Sequence, residues 1–296
     1  MQLKTIGILS PGDMGHIVGR VLGSHGLNVI TCLQGRRKRT RTLSARAGIV
    51  DVPTYHALVC DADVILSILP PGQAVNAAKK VANALAEADT HLVYADCNAV
   101  SPETVRRIEG IITDVRARFV DASIIGPPPR TFGSTRFYAS GPDASIIESL
   151  NLCGLDVRVL GGEIGLASAI KMCYASLTKG LTALCTELLT AAEAMGVFQP
   201  LKAELEMSQS MLYERMERNV PMMPPKSHRW IAEMEEISAT FAHVGLTPKI
   251  LAGAADVYRF VDENLPANHP PESRGSFYDL MEIIQTLANP LKENKT

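Results

Sequence analysis

The sequence predicts an α/β protein in which a doubly wound parallel sheet is followed by an all-helical C-terminal domain. Short apolar runs alternate with amphipathic segments up to about residue 161, and beyond that point the short apolar runs stop and long helical stretches begin. With 296 residues, 46% of them hydrophobic and 20% charged, the chain has enough material for two globular domains. We therefore predict one domain over 1–161 and a helical domain over 162–296 that opens with a long interdomain helix.

The segments of the first domain each have a local signal. The predicted strands are KTIGILS, LNVITCL, ADVILSIL, HLVYADC and RFVDASI. The predicted helices are MGHIVGRVLGSHG, RTLSARAGI, GQAVNAAKKVANALA and SPETVRRIEGII. Gly26 and Gly48 are placed to end the first two helices, and Ser101 is placed to cap the fourth. This alternation predicts a parallel sheet that binds its ligands at the carboxyl ends of the strands.

The helical domain opens with a segment over 164–196 that has no proline and carries apolar residues on more than one face. A helix that is hydrophobic nearly all round must be buried, and one α/β domain covers one side of it. A second subunit is the more economical source of further cover, so the sequence favours a homodimer or a higher even oligomer. The alternative is a monomer in which the later helices wrap the long one. The sequence predicts disorder for the tail LKENKT, 291–296.

Composition argues against several classes of function. The net charge of −2 gives no overall field that would attract nucleic acid or an anionic membrane. No apolar run is long enough to span a membrane, and the start, MQLKTIGILS, does not resemble a signal peptide. The six cysteines form no CxxC pair and no cluster with metal-ligand spacing. We expect a cytoplasmic protein with reduced thiols and no metal site.

The stretch GILSPGDMG follows the first predicted strand and resembles the dinucleotide-binding turn G-x-G-x-x-G. Gly12 and Gly15 fill the second and third glycine positions, which let the backbone approach a pyrophosphate and let the helix pack on the strand. Ser10 stands at the first position. The candidate cofactor-binding residues of this loop are Ser10, Pro11, Gly12, Asp13, Met14 and Gly15. The alternative is a glycine turn in an α/β protein that binds no cofactor.

The end of the second predicted strand indicates which cofactor is used. Enzymes that use NAD place an acid here to hold the ribose hydroxyls, but this sequence reads TCLQGRRKRT. The candidate cofactor-binding residues here are Gln34, Arg36 and Arg37, and the four cations Arg36, Arg37, Lys38 and Arg39 would hold the 2′-phosphate. Guanidinium groups bind phosphate through paired, charge-assisted hydrogen bonds, so we predict NADP. The alternative is a solvated basic loop.

Five motifs, in order and spacing, resemble the β-hydroxyacid dehydrogenase and 6-phosphogluconate dehydrogenase-like superfamily. They are SPGDMG, ADVILSILPPGQA, DCNAVSP, VDASIIGPP and GEIGLASAIKMCYA. The first matches the family's G-L-G-x-M-G at Gly12, Met14 and Gly15. The resemblance implies an NADP-binding Rossmann domain, and the C-terminal region resembles a helical domain of unassigned function found in bacterial relatives.

The resemblance also implies further site residues. Leu69, Pro70 and Asn98 would lie beside the cofactor. The candidate substrate-binding residues within the matched motifs are Ser123, Ile125, Gly126 and Ser168; apart from the resemblance, Trp230 of the helical domain, or Tyr258, is expected to close one wall of the substrate cleft. The chain departs from the family pattern at Ile125, where the family has serine, at Pro127, where it has glycine, and at Ala175, where it has asparagine. These departures make part of the substrate pocket apolar and stiffer, and Ser123 and Tyr174 are candidates to replace the missing polar groups.

Lys171 is the candidate general acid and base. A lysine among Ala, Ile, Met, Cys and Tyr is out of place on an apolar helix, and a desolvated lysine has a pKa that shifts readily. The alternative is a lysine whose stem lies along a partly exposed face. The family motif places a catalytic lysine at this position. Ser168 and Tyr174, three residues to either side, share its face of the helix, and Tyr174 is the second catalytic candidate.

Together these observations predict an NADP-dependent oxidoreductase that moves a hydride between nicotinamide and a hydroxy-acid-like alcohol or its carbonyl counterpart. The partner is a small-molecule substrate. Two alternatives stay open, an imine reductase of related architecture and a cofactor-binding protein without catalysis. Decarboxylation of 6-phosphogluconate itself is disfavoured, since that enzyme has a much longer helical domain than this chain supplies.

Overall fold

The computed structural model describes residues 3–265 and 279–293. The chain divides into two compact units, Met1–Met172 and Cys173–Thr296. This division lies inside the long helix, whereas the boundary predicted from the sequence lies before it, at residue 161. The predicted disordered tail begins too early, because residues 291–293 belong to the last helix; 294–296 lie outside the described residues.

The first unit is built on one sheet, which among the described residues has eight strands in the order β3-β2-β1-β4-β5-β6-β7-β8. Their bounds are β1 Thr5–Leu9, β2 Asn28–Thr31, β3 Val50–Asp51, β4 Val64–Ser67, β5 Val93–Asp96, β6 Arg118–Ile125, β7 Arg136–Ser140 and β8 Val157–Gly161. All neighbouring pairs are parallel except β6 and β7. The prediction of a parallel sheet is therefore confirmed for the strands that the sequence predicted, and the antiparallel pair involves β7, which was not among them. No helix lies between β6 and β7, and a parallel connection needs a crossover, so the chain turns back.

The helices of the first unit alternate with its strands. Their bounds are α1 Gly15–Ser24, α2 Lys38–Arg46, α3 Tyr55–Asp61, α4 Ala74–Ala88, α5 Pro102–Thr113 and α6 Ala144–Glu148, with 3₁₀ turns at Pro71–Gln73 and Ser149–Cys153. Gly26 and Gly48 have positive φ angles of 88° and 72°, which glycine adopts without strain after a helix. The hydroxyl of Ser101 accepts a hydrogen bond from the backbone N–H of Thr104. These three predicted helix boundaries are confirmed.

Both faces of the sheet are covered. On one face α1 and α6 pack through buried side chains such as Val18, Leu22 and Ile147. On the other face α3, α4 and α5 pack through buried side chains such as Val81 and Ile108. A sheet buried on both faces explains why its strands read as continuous apolar runs, and the doubly wound architecture is confirmed.

The second unit contains helices and, in the described part of the chain, no strand. Their bounds are α7 Leu166–Ala194, which begins in the first unit, α8 Phe198–Ser208, α9 Ser210–Asn219, α10 Ser227–His243, α11 Lys249–Asn264 and α12 Leu280–Glu293, with a 3₁₀ turn at Pro224–Lys226. Met234 and Ile237 of α10 and Val261 of α11 are fully buried in this unit. Among the described residues, no helix is both long enough and apolar enough to cross a bilayer.

Candidate functional site

The glycine loop joins β1 to α1 at the carboxyl end of the sheet. Ser10 takes the first glycine position with a φ of 62°, so this position keeps the left-handed backbone that a glycine would adopt easily. A Cβ on Gly15 would lie 2.8 Å from the carbonyl oxygen of Ser10, which is closer than atoms approach. Gly15 is therefore required by the packing of the loop against α1, and Ser10 is a variant of the turn that keeps its path.

Gly12 has no such explanation among the residues that the structure describes. Its φ is not in the left-handed region, and a Cβ there would meet no atom nearer than the Ser10 oxygen at 4.0 Å. The first turn of α1 has no side-chain cap and no acidic residue. A glycine that the fold does not need, beside an uncapped helix start, fits the close approach of an anionic ligand such as a pyrophosphate.

Ser10→Gly should raise the free energy of unfolding by about 0.5–1 kcal/mol, because glycine avoids the left-handed penalty that serine pays. Urea denaturation monitored by circular dichroism measures the change. Ser176→Gly is the matched control, because Ser176 lies inside α7, where glycine should be destabilising. Equal destabilisation by both substitutions would contradict the strained turn.

The arginines of the basic run after β2 differ in their contacts. Arg39 forms an ion pair with Asp13 of the glycine loop, and so the two loops are joined. Arg41, further along α2, donates to the carbonyl of Leu33 at 2.6 Å. No ion pair is present for Arg36 or Arg37 within the described ranges. Arg39 is thus already partnered, whereas the two preceding arginines are available to a ligand.

Three of the predicted cofactor residues meet at one pocket of about 210 Å³, which is lined in part by Gln34, Arg36 and Leu69. Arg37 does not line the pocket; it is exposed and stands at the N-cap of α2. Pro70 is exposed directly after Leu69. The structure therefore brings the loop after β2 and the loop after β4 to the same cavity.

A row of polar residues crosses the sheet, and none of these residues is among the site residues predicted from the sequence. Ser67, Asp96, Asp121 and Ser140 are paired in register on the neighbouring strands β4, β5, β6 and β7, and all four are buried. Each stands at or near one end of an apolar run, so a signal was present in VILS, VYAD and RFVDAS. That signal does not reveal what the side chains contact.

Asn98 joins the loops that follow β4 and β5. Its side-chain oxygen accepts from the backbone N–H of Leu69 at 2.5 Å, and its amide nitrogen donates to Ser67 Oγ at 3.0 Å and to Asp96 Oδ2 at 2.8 Å. Burial raises the pKa of Asp96 to about 7, against the opposing effect of the hydrogen bonds that Asp96 accepts from the backbone N–H and the side-chain amide of Asn98. Asn98 therefore positions the Leu69 loop. Its side chain already makes three hydrogen bonds within the protein, and a contact between Asn98 and the cofactor would be additional to these.

Asp121 holds the start of α7. One carboxylate oxygen accepts from the hydroxyl of Ser140 at 2.9 Å and from the backbone N–H groups of Gly165 and Ser168 at 2.9 and 3.1 Å. The other accepts from the hydroxyl of Ser168 at 2.8 Å. Burial raises the pKa of Asp121. A carboxylate at a helix N-terminus is favourable, so Asp121 fixes the first turn of α7 to β6.

Lys171 lies one turn further along α7. Its Nζ donates to the backbone carbonyl of Ile124 at 2.7 Å, which places the amine against the carboxyl end of β6. Burial lowers the pKa of Lys171 to about 8. We expected Ser168 to orient this amine, but its hydroxyl donates a hydrogen bond to Asp121 instead. An amine with a pKa near neutrality can exist in both protonation states in the physiological range and can exchange a proton with a substrate.

The predicted substrate residues of β6 differ in their surroundings. Ser123 is fully buried, and its hydroxyl has no hydrogen-bond partner among the described residues. A buried hydroxyl without a hydrogen-bond partner destabilises the folded protein unless a further polar group bonds to it. Gly126 has a φ of 124°, and a Cβ there would lie 2.3 Å from the oxygen of Ser134. Gly126 is therefore explained by the backbone of the β6–β7 connection, and Ile125 beside it is buried.

The other two candidates belong to the second unit. Tyr174 follows Lys171 by one helical turn, and 46% of it is exposed. Trp230 of α10 packs edge-on against Tyr258, with ring centroids 5.3 Å apart, and lies 5.5 Å from the ammonium of Lys179. The structure thus places Trp230 in an aromatic and cationic cluster of the helical unit.

Two family models match the chain. Residues 5–169 match the NAD binding domain of 6-phosphogluconate dehydrogenase. Residues 192–261 match a domain of unknown function, DUF1932.

Solved structures of the same fold include dehydrogenases and reductases. One is a conserved protein of unknown function described as structurally similar to 3-hydroxyacid dehydrogenases, with 30% identity, 88% of this chain and 97% of that chain covered, and a TM-score of 0.65. A second is a 3-hydroxyisobutyrate dehydrogenase of Mycobacterium tuberculosis, with 17% identity, 97% and 99% covered, and a TM-score of 0.68. A third is an imine reductase of Streptomyces aurantiacus, with 15% identity, 95% and 99% covered, and a TM-score of 0.58.

Proposed function

Because the chain belongs to the family of the NAD binding domain of 6-phosphogluconate dehydrogenase, we propose that it is an NADP-dependent oxidoreductase acting on a hydroxy-acid-like alcohol and its carbonyl counterpart. The observation that carries the proposal is the amine of Lys171, held against the carboxyl end of β6 with its pKa lowered to about 8. In an open α/β sheet this edge is where ligands bind.

The chain supplies a place for each charged part of the cofactor. The loop from Ser10 to Gly15 would hold the pyrophosphate, with Gly12 allowing the backbone to come close. Arg36 and Arg37 would hold the 2′-phosphate of NADP. The nicotinamide ring, when bound, supplies the hydride acceptor or donor. The side chain of Asn98 would keep the Leu69–Pro70 loop in place beside it.

Lys171 carries the proton chemistry in this proposal. Oxidation of an alcohol requires a base that removes the hydroxyl proton, and the neutral amine of Lys171 can accept it at Nζ. Reduction of a carbonyl requires an acid, and the ammonium can donate from the same atom while stabilising negative charge on the oxygen.

Imine reduction is the second candidate, favoured by the fold shared with an imine reductase. An imine needs a proton donor at nitrogen, and that chemistry does not require a lysine. The retained Lys171 supports the alcohol and carbonyl reaction instead. The Ile125 and Ala175 departures leave a third candidate, a cofactor-binding protein without turnover.

A substrate panel tests these candidates together. NADPH absorbance is followed with hydroxy acids, aldehydes, ketones and imines, with wild type and Lys171→Met side by side. The proposal is supported if wild type turns over a hydroxy acid or a carbonyl compound and Lys171→Met does not. Turnover of imines alone, unaffected by the substitution, would favour the second candidate, and tight NADPH binding with no turnover would favour the third.

The preference for NADP has its own test. Arg36→Ala and Arg37→Ala should each weaken NADP binding about tenfold and leave NAD binding unchanged, because one charge-assisted phosphate contact contributes about 1.5–3 kcal/mol. Isothermal titration calorimetry measures both affinities. Arg46→Ala, an exposed arginine in the last turn of α2, is the control and should change neither. If neither Arg36→Ala nor Arg37→Ala reduces the difference in affinity between NADP and NAD, the assignment of these arginines to the 2′-phosphate is wrong.

A homodimer is part of the proposal. Tyr174, Leu177, Leu181, Leu184 and Leu188 of α7 are spaced alternately by three and four residues, so they form one stripe of the kind that pairs helices. Leu177 is 62% exposed and Leu184 is 56% exposed. The stripe carries no charge, and a second copy presents the same apolar stripe to it.

Leu177→Glu combined with Leu184→Glu should convert a dimer to a monomer, because four carboxylates would face each other across a two-fold contact. Light scattering at micromolar concentration measures the mass against the 31.9 kDa of one chain. Leu152→Glu is the control, since Leu152 is 88% exposed and lies in the first unit. A wild-type mass near one chain at every concentration would refute the dimer.

A further inference from the structure

A pocket of about 210 Å³ lies in the first unit beside the end of β2. The residues that line it include Gln34, Arg36, Tyr55, Leu69, Gln73 and Lys80. The pocket therefore joins the loop after β2 to the start of α3, to the loop and 3₁₀ turn after β4, and to the first two turns of α4. Gln34, Arg36 and Leu69 are already candidate cofactor residues, whereas α4 carries none.

The lining combines three kinds of group. Tyr55, Leu69 and Ala77 supply apolar surface, and the amides of Gln34, Gln73 and Asn76 supply hydrogen-bond donors and acceptors. Arg36 and Lys80 are cationic, and the lining contains no acidic residue. A mainly polar pocket with hydrogen-bonding amides and two cations is suited to the part of a nucleotide that carries a phosphate.

Lys80 reaches the pocket because of its position on α4. Asn76, Ala77 and Lys80 are spaced by one and three residues, so they share one face of the helix, and Gln73 lies just before it in the 3₁₀ turn. Lys79 is one residue earlier and about 100° away around the helix, and it is not among the lining residues. In the described part of the chain neither Lys80 nor Arg36 forms an ion pair. Lys80 thus brings a positive charge to the pocket from a helix far from the basic run in sequence.

We propose that Lys80 is a specificity-determining residue that acts with Arg36 to hold the 2′-phosphate of NADP. The proposal rests on the proposed preference for NADP and extends it to a second element of the fold. A 2′-phosphate carries close to two negative charges at neutral pH, so a lysine from α4 complements the guanidinium of the β2 loop. NAD has a hydroxyl at this position and gains nothing from the second cation.

Two probes without a nicotinamide ring test the proposal independently of activity. Adenosine 2′,5′-bisphosphate carries the 2′-phosphate and AMP does not, and calorimetry gives the affinity of each for the full chain. Lys80→Ala should weaken binding of the bisphosphate about tenfold and leave AMP binding unchanged. Lys79→Ala is the control, because it removes the same charge from the adjacent exposed position and should change neither affinity.

The outcomes separate this inference from the proposed function. If wild type prefers the bisphosphate and Lys80→Ala behaves like Lys79→Ala, the role of Lys80 is refuted and the preference for NADP stands on the β2 loop. Equal weakening of both probes also refutes it, because Lys80 would then contact the part that they share. If wild type binds the two probes equally, the preference for NADP fails and the role of Lys80 fails with it.

Discussion

Lys171→Met should fold, bind cofactor with unchanged affinity, and lose turnover by a factor of about 10²–10⁴, the usual contribution of a positioned acid or base. Methionine keeps the length and apolar stem of lysine and removes the amine that donates to the Ile124 carbonyl. Steady-state kinetics with the substrate found in the panel measure the loss. Lys79→Met, at an exposed position of α4, is the control for removal of a lysine charge.

The pH dependence identifies the group. With the pKa of Lys171 near 8, alcohol oxidation should rise as the pH passes upward through about 8, because the neutral amine is the base. Carbonyl reduction should fall over the same range, because the ammonium is the acid. Near-normal activity in Lys171→Met, or profiles without this step, would move proton transfer elsewhere, with Tyr174 as the next candidate.

The same substitution changes how stability depends on pH. The folded-state pKa of about 8 lies below the ordinary lysine value of 10.5, so burial disfavours the ammonium. Between these two values the unfolded chain holds a proton that the folded chain has released, and the free energy of unfolding of wild type rises with pH. Relative to Lys171→Met, wild type should therefore gain stability between about pH 8 and pH 10.5. Urea denaturation at pH 7, 9 and 10.5 measures this difference.

Asp121→Asn should lower the free energy of unfolding by about 2–4 kcal/mol, because an amide cannot replace a carboxylate that accepts from four donors. If the amide oxygen takes the place of Oδ2, it keeps three donors but lacks the negative charge that strengthens these bonds, and the NH₂ group meets the hydroxyl of Ser168, which must then accept instead of donate. The start of α7 then loses its tie to β6, so Lys171 loses part of its positioning as well.

Urea denaturation monitored by circular dichroism measures the destabilisation by Asp121→Asn. Asp114→Asn, an exposed aspartate at the end of α5, is the matched control and should change stability by less than about 0.5 kcal/mol. If the two substitutions have equal effects, Asp121 does not hold the helix in the way that its contacts indicate.

The sequence by itself determined the features that depend on neighbours along the chain. Helix and strand periods, the glycines after α1 and α2 and the serine cap of α5 are local, and so the doubly wound unit and the helical unit were both predicted. The glycine loop, the basic run and the out-of-place Lys171 are also local signals. These signals identified candidate functional residues, because a charge or a glycine in an unexpected place is visible without a structure.

Only the tertiary structure decided what those residues contact. Asp121 meets Gly165 and Ser168, which are 44 and 47 residues away, and no local pattern encodes that meeting. The same holds for Arg39, which pairs with Asp13, 26 residues away. The strand β7 runs antiparallel to β6 because no helix connects them, and α4 brings Lys80 to the pocket of Arg36. Such pairings are fixed by how strands register and helices pack, which depends on contacts between segments distant in the chain.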